Sequence, residues 1–302
     1  MSGITIWLGI VTGVALASVY VLIAISMTLV LASSGIFNFA QGTIVMIGTV
    51  FAYLLGVKLG WTPLWVAAAV LGCGMLAGLF THLVAVLPAI GRSKSFTHTT
   101  ILTTIGLGFA ANAIAVMWFG GDSYRVPAYL PEDPIVVFSI PIRPTYLLMI
   151  VVGAVITLSV EWLIRRTELG YVFRATLEDP EGAGLLGINV NKVIAITFAI
   201  AGAMSGLAGF LVAPVISASA LSAHEMAFYG FAGMAAGGFG SFAGALAGGL
   251  VVGLIAGIVP AIGDPRWALP LIWLAVVVVL LVKPSGLFGT AGLFGASRFR
   301  EV

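Results

Sequence analysis

Charge is what this chain has least of. Asp, Glu, Lys and Arg supply 8% of its 302 residues, against about 25% in a soluble domain. No soluble fold of this length could cover itself with so few charged groups. Cysteine occurs once, as Cys73 inside an apolar run, which excludes an intrachain disulfide and leaves the redox compartment open. The three histidines, His82, His98 and His224, lie far apart along the chain, which argues against a catalytic or metal cluster. A phosphate loop of the form G-x-x-x-x-G-K-[ST] is absent, so the chain cannot hydrolyse ATP by the usual device. The net charge of +2 comes from few groups and gives no basis for a nucleic-acid partner. The N-terminus lacks a basic stretch and a small-residue cleavage pattern, so its apolar run reads as a retained membrane helix.

What is abundant is apolar length. Hydrophobic residues make up 61% of the chain, the mean hydropathy is +1.17, and continuous apolar runs of about 20 residues, enough to span a bilayer, recur throughout. The chain reads as an all-α polytopic membrane protein of 8–9 transmembrane helices, one domain over residues 1–302. Spans are expected at 4–31, 40–57, 63–87, 99–119, 145–164, 193–213, 226–241, 244–262 and 268–283. Residues 4–57 cannot be one crossing, because a helix of that length would run about 80 Å against a hydrocarbon core of about 30 Å. The reversal falls in "SSGIFNFAQG" (Ser33–Gly42): Ser33–Gly35 end the first span, and Asn38 and Gln41 open the second.

Basic residues set the orientation. With these spans, Arg92, Lys94, Arg165, Arg166, Arg174, Lys192, Lys283, Arg298 and Arg300 share one face, nine of the thirteen in the chain. That face should be cytoplasmic. The loop 120–144, with Asp122, Glu132, Asp133 and five prolines, and the N-terminus then face outward. Glycines at four-residue spacing (Gly9/Gly13, Gly74/Gly78, Gly202/Gly206, Gly233/Gly237, Gly240/Gly244/Gly248, Gly249/Gly253/Gly257) are expected to line helix faces that pack closely. "GGFGSFAGALAGG" (Gly237–Gly249) is dense enough in glycine to predict a break, a tight turn or a short re-entrant piece.

The one sizeable cytoplasmic loop is 165–192. Inside it Asp179 can cap a helix, Pro180 suits its first position, Glu181 complements the dipole and Gly187 can end it. Ala183, Leu185 and Leu186 give this helix of about two turns a small apolar patch. Alone it would be unstable, so it packs either on its own membrane domain or in another protein's groove. In the spans, Asn38, Gln41, Thr43, Thr103, Thr104 and Asn112 are the polar candidates. Amides offer donors and acceptors to a passing solute, and they also join helices to one another. Both roles stay open from sequence. Glu161 pairs at i,i+4 with Arg165 near a cytoplasmic end, and His224 and Glu225 are expected at the outer edge, in reach of water.

Four stretches in register resemble permeases of the branched-chain amino acid ABC importer family. They are "NFAQG" (Asn38–Gly42), similar to an Asn-Phe-Ala-His-Gly element with Gln41 in place of His, "GYVFRATLEDPEGAGLLGINVNKVIAITFAIAGAMSGLAG" (Gly170–Gly209), the glycine-rich Gly237–Gly249, and "KPSGLFG" (Lys283–Gly289). The chain departs from the family where a Glu-Arg and Arg-Pro-Leu-Arg element is usual, reading "THLVAVLPAIGRSKS" (Thr81–Ser95). The resemblance implies a permease subunit in the bacterial inner membrane, paired with a homologous second permease, two ATPase subunits that bind ATP and Mg, and an extracytoplasmic binding protein. This chain itself would bind no cofactor. Its solute would be a branched-chain amino acid first, with urea, a short amide or an organic acid as further candidates. The loop helix 180–187 would be the coupling helix, with Ala183, Leu185 and Leu186 in an ATPase groove, closed by Gly187 and rimmed by Arg174, Glu178, Asp179 and Glu181. The competing reading is a proton- or sodium-coupled secondary transporter or channel, which usually shows an intramembrane acid or histidine; no such group stands out mid-span. An intramembrane enzyme is disfavoured: "HEMAF" (His224–Phe228) holds half of H-E-x-x-H, and "AMSG" (Ala203–Gly206) has Ala where a Gly-x-Ser-Gly element needs glycine.

Overall fold

The computed structural model describes residues 3–88, 96–137 and 140–289. Among these, eleven α-helices and two short antiparallel strand pairs are present. The helices are α1 (Gly3–Ser34), α2 (Gln41–Tyr53), α3 (Pro63–Thr81), α4 (Phe96–Phe119), α5 (Pro144–Arg166), α6 (Glu168–Glu178), α7 (Pro180–Leu185), α8 (Val190–Ile216), α9 (Ala223–Gly237), α10 (Phe242–Ile262) and α11 (Ala268–Val282). One wide π turn extends α2 through Leu54–Lys58, and another extends α3 through His82–Val86. Eight of these helices are long and apolar enough to cross a membrane. Local chemistry marks their starts. Pro63 and Pro144 open α3 and α5, Asn189 accepts from the Lys192 N–H at 3.1 Å, and Ser241 accepts from the Gly244 N–H at 3.0 Å.

The two-crossing reading of residues 4–57 holds, with the turn at Gly35–Ala40. The seventh expected span is corrected: 226–241 is α9, which begins three residues earlier and ends at Gly237. The predicted break in Gly237–Gly249 is real but narrower, confined to Gly238–Ser241, where Gly238 and Gly240 have φ of 112° and 78°. Gly244, Gly248 and Gly249 are helical. They serve close approach, since a Cβ on any of them would strike the backbone of α9 or α1.

Packing gives each helix a direction. Helix α10 runs antiparallel to α1, with Gly257 against Gly9 and Gly13, Gly253 against Ala17 and Gly249 against Val21. Helix α8 runs antiparallel to α3, with Gly202 against Gly74 and Phe198 against Gly78, and α5 runs parallel to α1, with Gly153 against Ser18 and, further along both, Val160 and Leu29 lining one cleft. Helix α9 is parallel to α1, because Gly230 meets Ile23 and Gly233 meets Ala24. The segment after α11 docks on the end of α9 through Leu287 N–H to Ala236 C=O (3.0 Å) and Phe288 N–H to Gly237 C=O (2.9 Å). The ends of α1, α5, α9 and α11 therefore share one side, which carries Arg165, Arg166 and Lys283. Arg92, Lys94, Arg298 and Arg300 lie outside the described residues. On the opposite side Ser123–Tyr124 pairs with Ala218–Ser219. There Tyr129 stacks on Phe210 with ring centroids 4.2 Å apart and donates to the Phe210 carbonyl at 2.7 Å; burial pushes its phenol above the usual range.

Glycine contact of this kind is testable. A Cβ at Gly48 would fall on the carbonyl oxygen of Gly206, whereas one at Gly72 meets open space. G48V should lower the thermal midpoint of the detergent-purified protein, by about 1–3 kcal/mol or more of overpacking. G72A should leave it equal or higher, as helix propensity favours alanine by about 1 kcal/mol.

Candidate functional site

The break between α1 and α2 is held by a polar network at the heart of the fold. Gly35, at φ 69°, ends α1, and its N–H donates to the Leu31 carbonyl at 2.8 Å. The Asn38 Oδ1 accepts from the Ala40 N–H at 3.1 Å, and its Nδ2 donates to Gln41 Oε1 at 2.8 Å. Gln41 Nε2 then donates to the Ala201 carbonyl and to Ser205 Oγ, each at 2.9 Å. Ser205 Oγ lies 2.9 Å from Ser26 Oγ, which donates to the Ile23 carbonyl at 2.7 Å. Asn38, Gln41, Ser205 and Ser26 are all buried. One glutamine side chain thus joins the start of α2 to the middle of α8, and through Ser205 to α1.

The other polar candidates fasten α4, which is mostly exposed. Thr43 donates to the Gly108 carbonyl at 3.3 Å, and Thr104 donates to the carbonyls of Phe37 (3.3 Å) and Ile101 (3.0 Å). Thr103 bonds the Ala85 and Thr100 carbonyls at 2.8 and 3.0 Å, and Asn112 donates to Ala220. Five of the six candidates therefore join separate parts of the fold, while the bonds of Asn38 stay within the break, to Ala40 and Gln41. Thr103 is exposed and Asn112 half-buried. Ser26 and Ser205 were not foreseeable as partners, since each reads alone as a small residue in an apolar helix.

A second break faces the first. After α8, Ser217 takes φ 69°, the chain turns back inward, and α9 starts against the first turn of α2, with Ala223 and Ala227 on Gly42. His224 packs on Phe109, in the middle of α4, with centroids 4.7 Å apart. Tyr229 donates to Glu225 Oε1 at 2.8 Å and lies on Tyr20, at the middle of α1, with centroids 4.6 Å apart. His224 and Glu225 thus sit midway along the spans, correcting the expected outer-edge placement, and both are exposed on the surface of the chain. The misplacement has a physical cause: α9 begins inside the helix bundle, and residues 217–222 return to that depth through a two-residue strand and a single 3-10 turn, too short to register as a span. A clue was present in the i,i+4 pair Glu225 and Tyr229. The absence of a mid-span acid consequently no longer argues against a secondary transporter.

On the basic side, Asp179 accepts from the N–H groups of Glu181 (3.1 Å) and Gly182 (3.0 Å), capping α7. The Ile188 N–H closes on the Ala183 carbonyl at 3.0 Å, around Gly187 at φ 84°. This is the left-handed helix ending expected from its sequence. The expected three-residue apolar patch divides. Ala183 is 3% exposed and turned toward its own chain, while Leu185 and Leu186 are 90% and 82% exposed. Helix α6, which precedes α7, was not expected, and there Arg174 lies over the Tyr171 ring at 4.8 Å. Asp179 and Glu181 are exposed; the Glu178 side chain lies outside the described residues. The Glu161–Arg165 pair is present at 3.0 Å.

Comparison with known proteins agrees with this architecture. The family described as "Branched-chain amino acid transport system / permease component" matches residues 9–282. The high-affinity branched-chain amino acid transport system permease protein LivH of Escherichia coli K12 is 30% identical over 301 residues, covering 92% of this chain and 93% of its own. BraD of Pseudomonas aeruginosa, a permease protein of the same description, is 28% identical over 294 residues, covering 93% and 94%. The galactofuranose transporter permease protein YtfT of E. coli K12 is 30% identical over 203 residues, 64% of this chain and 52% of its own. No solved structure matches significantly. A family match across nearly all of the membrane helices settles the assignment: the chain belongs to the permease components of branched-chain amino acid transport systems.

Proposed function

We propose that this chain is the membrane-spanning subunit of an ABC importer, located in the bacterial cytoplasmic membrane with its basic face inward. With a second, homologous permease it forms the path for a small polar solute, a branched-chain amino acid before urea, a short amide or an organic acid. Two ATPase subunits carry ATP and Mg, an extracytoplasmic protein delivers the solute, and this chain binds no cofactor. Family membership, and not the absence of ionisable groups, now disfavours a proton- or sodium-coupled carrier.

The observation that carries the coupling role is α7. It is closed at both ends by its own caps, rests on the membrane domain through Ala183, and projects Leu185 and Leu186 away from the chain. Two exposed leucines on a capped turn suit a hydrophobic groove in a partner; Asp179 and Glu181 are exposed at the start of the same turn, and Arg174 and Glu178 precede it on α6. Closure of the ATPases would move α7 as a unit and, through α6 and α8, shift the spans attached to it. The Asn38–Gln41 network would hold the inner end of the path rigid while this occurs. Thr103 and Asn112 offer the solute the more accessible polar groups, and Thr43 and Thr104 keep α4 in register.

Two measurements follow. In the importer assembled in nanodiscs, L185D/L186D should abolish stimulation of ATP hydrolysis by loaded binding protein; stimulation that survives would remove α7 from coupling. Separately, Q41A leaves Ser205, the Ala201 carbonyl and the Asn38 amide short of partners, at about 1–3 kcal/mol. Its thermal midpoint should fall markedly, whereas an unchanged midpoint would show that the network does not hold the break.

A further inference from the structure

The position of Glu225 is unusual for a membrane protein. An ionised group at mid-bilayer is expensive and is found facing a protein interior or a water-filled cavity, not lipid. Glu225 nevertheless lies on the surface of the chain, level with the middle of α1 through Tyr229 and Tyr20. Tyr229 occupies one carboxylate oxygen, and among the described residues no ion pair reaches Glu225 or His224. Phe109 of α4 lies against His224, and about one turn further along α9 Phe228 meets Trp273 of α11, with centroids 6.0 Å apart. The nearest ionisable groups on the facing elements are few, since α4 and α11 carry no Asp, Glu, Lys or Arg within their described helices.

We infer that the face formed by α4, the start of α9 and α11 lines the translocation path, and that Glu225 is the subsite for the ammonium group of a passing amino acid. This rests on the importer reading above and adds to it a residue and a ligand class. Tyr229 orients the carboxylate, its free oxygen accepts the cation, and the rings of Phe109 and Phe228 flank an apolar side chain. His224, packed on Phe109, borders the same face.

The test uses the full importer, with its second permease, ATPases and binding protein, in proteoliposomes. E225Q should reduce leucine uptake at least tenfold while stimulation of ATP hydrolysis by loaded binding protein stays within twofold, and E225D should recover part of the uptake. Uptake unchanged within twofold in both E225Q and E225A would overturn the subsite, with the importer reading intact. ATP-driven uptake confined to solutes without an ammonium group would do the same. A wild-type complex with no ATP-driven uptake of any solute would remove both. Independently of activity, H224C in a C73S background should react with a water-soluble cationic thiosulfonate in the assembled complex. Failure to react, the result expected of a lipid-facing or partner-covered residue, would overturn the lining of the path.

Discussion

Where a helix is interrupted at the depth of a bilayer, its freed backbone groups cannot turn to water and must be paired inside the protein. This chain turns at the inner end of α1 before α2 opens, and it breaks again between α8 and α9, where α9 starts inside the bundle. The rest of the architecture depends on how those interruptions are sealed. At the first, Asn38 Oδ1 takes the Ala40 N–H and Thr104 reaches the Phe37 carbonyl, while Gln41 ties the break to α8 with both hydrogens of its amide and to Asn38 with its oxygen. At the second, Asn112 of α4 reaches the Ala220 carbonyl, and Ser219 accepts from the Leu221 N–H at 3.2 Å. Because the two breaks touch at Gly42 and Ala223, sealing them also assembles the centre of the molecule.

Around that centre, association relies on shape. Lipid tails are as apolar as leucine, so helices gain little by hiding side chains from them, and close backbone contact carries more of the stabilisation. Glycine is the means: α1 and α10 meet along Gly9, Gly13, Gly253 and Gly257, and α3 meets α8 along Gly74, Gly78 and Gly202. Helix α4 has no such seam. It is attached by a few threonine and asparagine hydrogen bonds and leaves most of its surface outside the chain. A helix held in this way can shift relative to its neighbours more readily than one locked backbone to backbone, which suits an element beside a path that must open and close.

Much of this was legible in the sequence, for identifiable reasons. Apolar run length placed the spans, Lys and Arg placed the basic side, and Asp179, Pro180 and Gly187 outlined α7, because each acts on residues close to it in the chain. The partners of Gln41 were illegible because they lie 160 residues or more away, and serines in an apolar run give no sign of what they face. His224 and Glu225 were placed too far out for a related reason. Hydropathy records how long an apolar run is, not that a segment doubles back before its helix begins. Ala183 looked equivalent to Leu185 and Leu186 in composition, yet three-dimensional packing gave it the opposite direction.

The segment after α11 gives the C-terminal signature a physical meaning. Leu287 and Phe288 donate to the last carbonyls of α9, and Gly286, at φ 80°, lies against Gly238. The closing turn of α9 is thus completed by residues fifty positions further along the chain. Residues 236–288 form a non-covalent ring, in which α10 and α11 are a hairpin clasped at its base. Such a ring cannot lose one helix at a time: the inner end of α9 and residues 286–288 share a single fate, and a short stretch after α11 becomes the fastener of the α9–α11 hairpin.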